Sequence, residues 1–261
     1  GNITLTDGSA IADGRAVRAY GSGNVLIQAE GPDTSIFAQA GVVSSSGNIT
    51  ILADKDVEIT GALGVQSGGD GSIDIEAVQG SLLLGQASVQ NAGSGDMRLH
   101  AAENITLAGS ARTTGDISVL ADTGWIHDIN DEGAIDLKAT GLRLQAVQDI
   151  GVPGNALDIS VETLSAHSAE NIALIEQNAV RISDTSVTVK RVSSDSSLSD
   201  ITDEAQSDIV TTNNGSIIIK SLAGNIVLDD GSVSDDNRAI NAHGTGNIFV
   251  QAAGATGKII A

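Results

Sequence analysis

Apolar and polar positions alternate along this chain in short bursts, and the bursts are periodic. The units Gly23-Asn-Val-Leu-Ile-Gln-Ala29, Gly47-Asn-Ile-Thr-Ile-Leu-Ala53, Gly71-Ser-Ile-Asp-Ile-Glu-Ala77 and Gly95-Asp-Met-Arg-Leu-His-Ala101 recur at one constant interval, three times running. Positions three and five of each unit are aliphatic (Val25/Ile27, Ile49/Ile51, Ile73/Ile75, Met97/Leu99), position seven is Ala, and the others are mostly polar. A period of two opened by a turn residue predicts a short strand with one buried face. Similar units recur with looser spacing at Gly1, Gly115, Gly133, Gly215 and Gly246. Within each repeat a second alternating segment follows (Val57-Glu-Ile59, Leu82-Leu-Leu84, Ile105-Thr-Leu107), then a third (Val65-Gln-Ser67, Val89-Gln-Asn91). Gly, Asn, Asp and Ser between them supply tight corners.

Three short strands and three corners in every repeat of about 24 residues describe one coil of a β-solenoid, an all-β parallel β-helix. Such a coil has a perimeter of about 80 Å, and ten or eleven of them stacked at about 4.8 Å make a rod roughly 50 Å long. Equivalent residues then form ladders, with Val25, Ile49, Ile73 and Met97 in one and Ala29, Ala53, Ala77 and Ala101 in another. A β-sandwich has no reason to keep so exact a register. A leucine-rich repeat has the period but requires an L-x-x-L-x-L frame with an Asn ladder, which the chain lacks. One solenoid domain is expected over 1–261. Its coils are regular over 1–119 and less regular over 120–192, where those from Gly115 and Gly133 shorten to about 18 to 20 residues. Residues 193–214 read as an acidic, Ser-rich loop leaving the wall, with one strand at Ile209-Val210, and coils resume over 215–261. No cap is evident at either end, and the Gly-Asn-Ile-Thr opening reads as a piece of a longer or processed protein.

Composition fits this picture. The 261 residues include 31 Gly, no Cys, 2 Pro and only four aromatics, Tyr20, Phe37, Trp125 and Phe249. Stacked aliphatic ladders need no aromatic core. Thirty-three acidic against 13 basic residues give a net charge of −20, which excludes a nucleic-acid backbone as partner. No apolar run approaches the roughly 20 residues that span a bilayer, so membrane insertion is not expected. The acidic coat reads as protection against edge pairing between β-proteins.

Candidate chemistry is sparse. Asp122-Thr-Gly-Trp125-Ile-His127-Asp128-Ile-Asn-Asp131-Glu132 holds the only Trp beside four carboxylates. Trp125, His127 and Asp128 are therefore candidate carbohydrate contacts, because a sugar-stacking ring beside paired carboxylates is the minimum a glycoside hydrolase needs. The alternation of Trp125, His127 and Ile129 reads equally as one strand face beside an acidic turn. Carboxylates at Asp203 and Glu204, and at Asp229, Asp230, Asp235 and Asp236, could collect Ca²⁺ through oxygen ligands, although neither group matches a calcium-loop spacing. Asn-x-Ser/Thr at Asn2, Asn48, Asn104 and Asn214 follows from the repeat consensus. His100, His127, His167 and His243 have no ligand spacing, and the basic residues do not converge on one face. No catalytic residue and no resident cofactor are expected.

The units Gly-Asn-Ile-Thr-Leu at Gly1, Gly-Asn-Ile-Thr-Ile at Gly47 and Glu-Asn-Ile-Thr-Leu at Glu103 resemble the shaft repeats of large secreted bacterial adhesins of the filamentous-haemagglutinin type. The resemblance covers about two thirds of the chain at consensus level. It implies a right-handed parallel β-helix, export to the cell surface or extracellular space, and service as a stalk or attachment fibre. The amino-terminal secretion domain of that family has no counterpart here, so any export signal is expected outside these residues. Three functions follow in order: a non-catalytic shaft, a self-assembling fibre subunit stacking through uncapped ends, and a carbohydrate-binding or carbohydrate-active β-helix. The expected partners are flanking coils of the same longer protein, further copies, and host or surface glycans or proteins.

Overall fold

The computed structural model describes every residue except 10, 11, 86–88, 92, 131, 132, 234 and 235, and for 89–91 the backbone alone. Among the described residues the chain forms 30 short strands and no helix. They build three parallel sheets of twelve, ten and six strands, plus one antiparallel hairpin. One rung runs from Ile49–Ala53 in the twelve-stranded sheet to Val57–Ile59 in the six-stranded and Val65–Ser67 in the ten-stranded sheet, then returns at Ile73–Ala77. Each strand pairs in parallel with its equivalent one rung on. The sequence period is thus the pairing register, with Val25, Ile49, Ile73, Met97, Ile117 and Leu142 stacked in one column. The ten-stranded sheet sets ten rungs, a parallel β-helix of about 45 Å along its axis.

The inward columns are fully buried Ile, Val, Leu and Ala, with Met97 among them, and they form one continuous core. β-Branched side chains suit this stacking because their restricted χ1 matches the pleat at little further entropic cost. The glycines of the motif serve close approach of rungs. A Cβ on Gly47 would lie 2.2 Å from the carbonyl oxygen of Gly23, and one on Gly71 would lie 2.3 Å from that of Gly47.

The residue after the glycine ties the rungs together. Asn24 Oδ1 accepts from the Asn48 N–H at 2.9 Å, and Asn48 Oδ1 from the Ser72 N–H at 3.0 Å. A second such column starts at Asn2, whose Oδ1 accepts from the Ser35 N–H, and passes through Asp56 and Asn104 to the Trp125 N–H. Trp125 has no acceptor to offer, and the column resumes at Asp149, Asn171 and Ser216. The leucine-rich frame is absent, but a ladder of Asn, Asp and Ser side chains is present. Each link satisfies a backbone N–H that a corner would otherwise leave without a partner.

Four details differ from the sequence reading. The looser copies of the motif do not share one ladder: Ile3–Leu5 lies in the six-stranded sheet, whereas Leu137, Ile217 and Ile248 lie in the ten-stranded one. Gly-Asn therefore marks any corner followed by a strand. The coil from Gly115 does not shorten, since Ile117 pairs with Leu142, a full coil further along the chain. Thr185–Val192 belongs to no rung. It pairs antiparallel with Leu198–Gln206, so much of 193–214 is strand where a loop is expected. The third strand of this region, Ile209–Thr211, sits in the wall close to its expected place.

The hairpin lies along the rod, across the rungs. The Thr185 and Ser165 hydroxyls bond to each other, the Lys190 N–H donates to Ser72 Oγ at 2.8 Å, and the Val192 N–H donates to Thr50 Oγ1 at 2.9 Å. From Ser165 to Thr50 six strands are stacked, about 24 Å of rod, and Thr185–Val192 extended spans about the same distance. Beneath it the outward column Thr50, Asp74, Arg98, Ser118, Arg143 and Ser165 is buried. Val187 and Val189 are buried as well.

Candidate functional site

The six-rung column under the hairpin holds a connected group of buried charges. Alternation points Asp74 and Arg98 away from the core, and the repeat register sets them side by side on adjacent strands. Arg98 Nη1 meets Asp74 Oδ1 at 3.3 Å and Glu76 Oε2 at 2.8 Å, while its Nε meets Asp203 Oδ1 at 3.1 Å. From the hairpin, Arg191 Nε reaches Asp74 Oδ2 at 2.6 Å and its Nη2 pairs with Glu76. His100 extends the lattice, with Nδ1 3.0 Å from Arg98 Nη2 and Nε2 2.9 Å from Asp122 Oδ2. Arg143 Nε donates to the Glu204 backbone carbonyl at 3.0 Å.

These contacts move the titrations. Burial opposes charge on Glu76, but hydrogen bonds from His100, Arg191 and Arg98 outweigh it and hold the carboxyl far below its usual range. Burial likewise opposes charge on Arg98, and Asp203, Asp74 and Glu76 outweigh it and raise its pKa. His100 is raised by Glu76 and Asp122 against its own burial. Arg143 is lowered by burial and by Arg98, with Asp203 opposing. Three guanidinium groups thus converge with Asp74, Glu76 and Asp203 on one face, contrary to the scattered basic residues expected from sequence. Arg98 and Arg191 are paired with Asp74, Glu76 and Asp203, whereas Arg143 Nη1 and Asp203 Oδ2 are buried without a hydrogen-bond partner; covered by the hairpin, the paired arrangement joins two parts of the chain. Register alone pairs Asp74 with Arg98, which is the signal that could have located it. The partners Arg191 and Asp203 come from far along the chain and leave no local trace.

The sequence-selected residues separate. Trp125 and His127 stack on the outer face of the six-stranded sheet, with centroids 4.3 Å apart and planes 15° off parallel. Burial pushes the His127 pKa down, against the pull of Asp149. Asp128 faces the other way. It is buried on the inner side of the same strand, where Oδ1 accepts from the Asn130 N–H at 2.7 Å. Asp122 is taken by His100, and Asp131 and Glu132 lie outside the described residues. Trp125 and Asp128 therefore do not share a surface, and the paired-carboxylate arrangement is not formed by Asp122 and Asp128.

The acidic groups also divide. Asp203 belongs to the lattice, and the Glu204 side chain is exposed. Asp229 Oδ2 pairs with Arg181 at 2.8 Å. Asp235 lies outside the described residues. Asp230 and Asp236 come together with Asp208, each offering a carboxylate oxygen within 4.8 Å of the others. Asp208 is buried, and its pKa is raised by burial and by Asp230 and Asp236, with the Gly231 N–H and Ser207 hydroxyl opposing. Asp236 also pairs with Arg238 at 3.0 Å. Among the described residues these three could hold a cation, with Asp208 joining Asp230 and Asp236 of the expected set.

A cleft of about 210 Å³ opens on the outer face of the ten-stranded sheet, between the Val152–Pro153 turn and Ile175, Ile218 and Phe249, with Asp158 and Lys220 at its polar edge. The terminal strands Ile248–Ala252 and Ile259–Ile260 leave exposed several ladder positions whose equivalents are buried in interior rungs, among them Ile248 and Ile259. Among the described residues no helix is long and apolar enough to cross a membrane. Comparison with protein-family models, curated proteins and solved structures finds no match to this chain.

Proposed function

We propose that this chain is a non-catalytic shaft segment, a rigid spacer within a large secreted or surface-exposed bacterial protein of the adhesin type. The observation that carries the reading is the parallel stack of ten rungs, joined by corner ladders of Asn, Asp and Ser and strapped across six of them. A rod held by hydrogen bonds between successive rungs transmits position without an active site. Its acidic coat favours solubility and discourages edge pairing. The Gly-Asn-Ile-Thr repeats, similar to adhesin shafts, favour the extracellular setting.

A glycan array combined with a polysaccharide-turnover screen tests the reading. A shaft gives neither saturable binding nor product. Turnover, or binding lost in Trp125→Ala, would replace it with a carbohydrate-active β-helix. A second reading, end-to-end stacking of copies, is favoured by the exposed ladder residues Ile248 and Ile259. Mass measured across a dilution series separates the two, because a monomer at every concentration removes the fibre.

A further inference from the structure

The hairpin is an addition to a rung that is complete without it. Val180–Ile182 and Ile209–Thr211 lie end to end along Thr163–Ser168, with Ile182 opposite Leu164 and Ile209 opposite Ala166. One position, facing Ser165, separates them. Reducing 183–208 to that single residue would bring Ile182 as close in sequence to its partner Leu228 as Asn104 is to Trp125, an ordinary coil for this rod. The next rung opens at the same place: Val180–Ile182 pairs with Ile226–Leu228, Ile209–Thr211 pairs with Ile240–Ala242, and residues 229–239 leave between them.

We propose that the 185–206 hairpin is an axial brace that makes six consecutive rungs, from Ile49–Ala53 to Thr163–Ser168, separate as one mechanical unit. Hydrogen bonds of the wall join each rung only to its neighbours, so a rod pulled from its ends can open one rung at a time. The hairpin is a continuous covalent segment laid perpendicular to those joints. It is fixed at one end by Thr185 on Ser165 and Gln206 on the Leu144 carbonyl, and at the other by Val192 on Thr50. Between them, Arg191 enters the Asp74 and Glu76 carboxylates from above while Arg98 holds the same two from the wall. Asp203 closes the set on Arg98. Opening a joint beneath the hairpin therefore requires freeing one part of it from the wall: Val192 from Thr50 at one end, Thr185 from Ser165 at the other, and Arg191 or Asp203 from buried, oppositely charged partners at the joint between Asp74 and Arg98. The 226–261 rungs lie outside the span of the hairpin; among the described residues of 229–239, Gly231 and Ser232 reach only one rung back, their N–H groups donating to Asp208 and Asp184. The brace is independent of what the rod carries and of whether the shaft reading holds.

End-to-end pulling in an optical trap tests it. The wild-type chain is compared with a variant in which one Ser replaces 183–208, with Arg191→Ala, and with Lys190→Ala, which removes only the exposed pair to Asp200. In the wild type the unstrapped rungs release first, and the strapped block then releases in a single event. The excised variant, folded by far-UV circular dichroism, gives successive releases of about one coil each over the same block, at half the force or less. Arg191→Ala lowers the force of the block event by at least a quarter, and Lys190→Ala leaves it unchanged. A folded excised variant that still releases the block in one event at wild-type force overturns the proposal. If that variant does not fold, an Arg191→Ala chain with unchanged block force overturns it.

Discussion

Asp136 makes the stability of this rod depend on pH near neutrality. Its carboxyl is buried at the corner entering the ten-stranded sheet, with Asp128 and Asp158 nearby. Burial, then the like charges of Asp128 and Asp158, push its pKa from 3.8 up to about 7, although the Asp158 N–H donates to its Oδ2 at 2.8 Å. The folded state therefore binds this proton more tightly than the unfolded chain. The resulting stability is fully present below pH 3.8 and is lost as pH rises through about 7. A shift of about three units corresponds to about 4 kcal/mol between those limits. Asp136→Asn removes the titration and keeps an acceptor for the Asp158 N–H. Urea unfolding of both proteins at pH 4.5, 6 and 8 is the assay, with equal m-values required so that midpoints convert to free energy. The variant should match the wild type within about 1 kcal/mol at pH 4.5 and exceed it by up to about 4 kcal/mol at pH 8. Two curves running parallel from pH 4.5 to 8 would refute the reasoning.

Glu176 behaves alike through a different cause. It is fully buried, and desolvation raises its pKa from 4.5 to about 7 against hydrogen bonds from the Asn178 and Val161 N–H groups. Glu176→Gln should cost about 1 kcal/mol at pH 5, where its amide NH₂ faces one of those donors, and should stabilise by about 1–2 kcal/mol at pH 8; denaturant midpoints at the two pH values check the change of sign. Asn48→Ala strips the acceptor shared by the Ser72 N–H and hydroxyl and should cost about 1–2 kcal/mol, whereas Asn48→Asp, which keeps that acceptor and loses only the exposed bond from Nδ2 to Asn24 Oδ1, should cost about half as much. Thermal melts of both variants decide whether the corner ladder contributes. Gly47→Ala places a methyl group 2.2 Å from the Gly23 carbonyl oxygen and should destabilise by more than about 2 kcal/mol, read from its urea midpoint.

The wall was legible in sequence because its pattern is local. Val25, Ile49, Ile73 and Met97 stand one repeat apart, and pairing follows from that spacing alone. The hairpin was not, for two physical reasons. Thr185–Val192 alternates like any rung strand, so nothing in its own residues says that it turns to run along the axis. Leu198–Gln206 is an exposed outer strand whose side chains are mostly polar, and burial is what writes a strand into a sequence. The lattice was half legible, since stacking places Asp74 beside Arg98, while Arg191 and Asp203 arrive through tertiary folding. Asp128 departs from its expected exposure for a simpler reason. A carboxylate on the inner side of a strand is uncommon, and the acidic residues around it mask its alternation with His127.

The shared opening through which residues 183–208 and 229–239 depart has a consequence for what this wall can carry. Both segments leave and re-enter at positions held by strands on either side, so closing a longer loop there adds only about 0.6 kcal/mol for each doubling of its length. The seam is a port. Material spliced into 229–239 would be displayed one rung, about 4.8 Å, from the root of the hairpin, at a height fixed by counting coils. A lineage of such rods could exchange its outward-facing cargo at this seam while every interior column stayed the same.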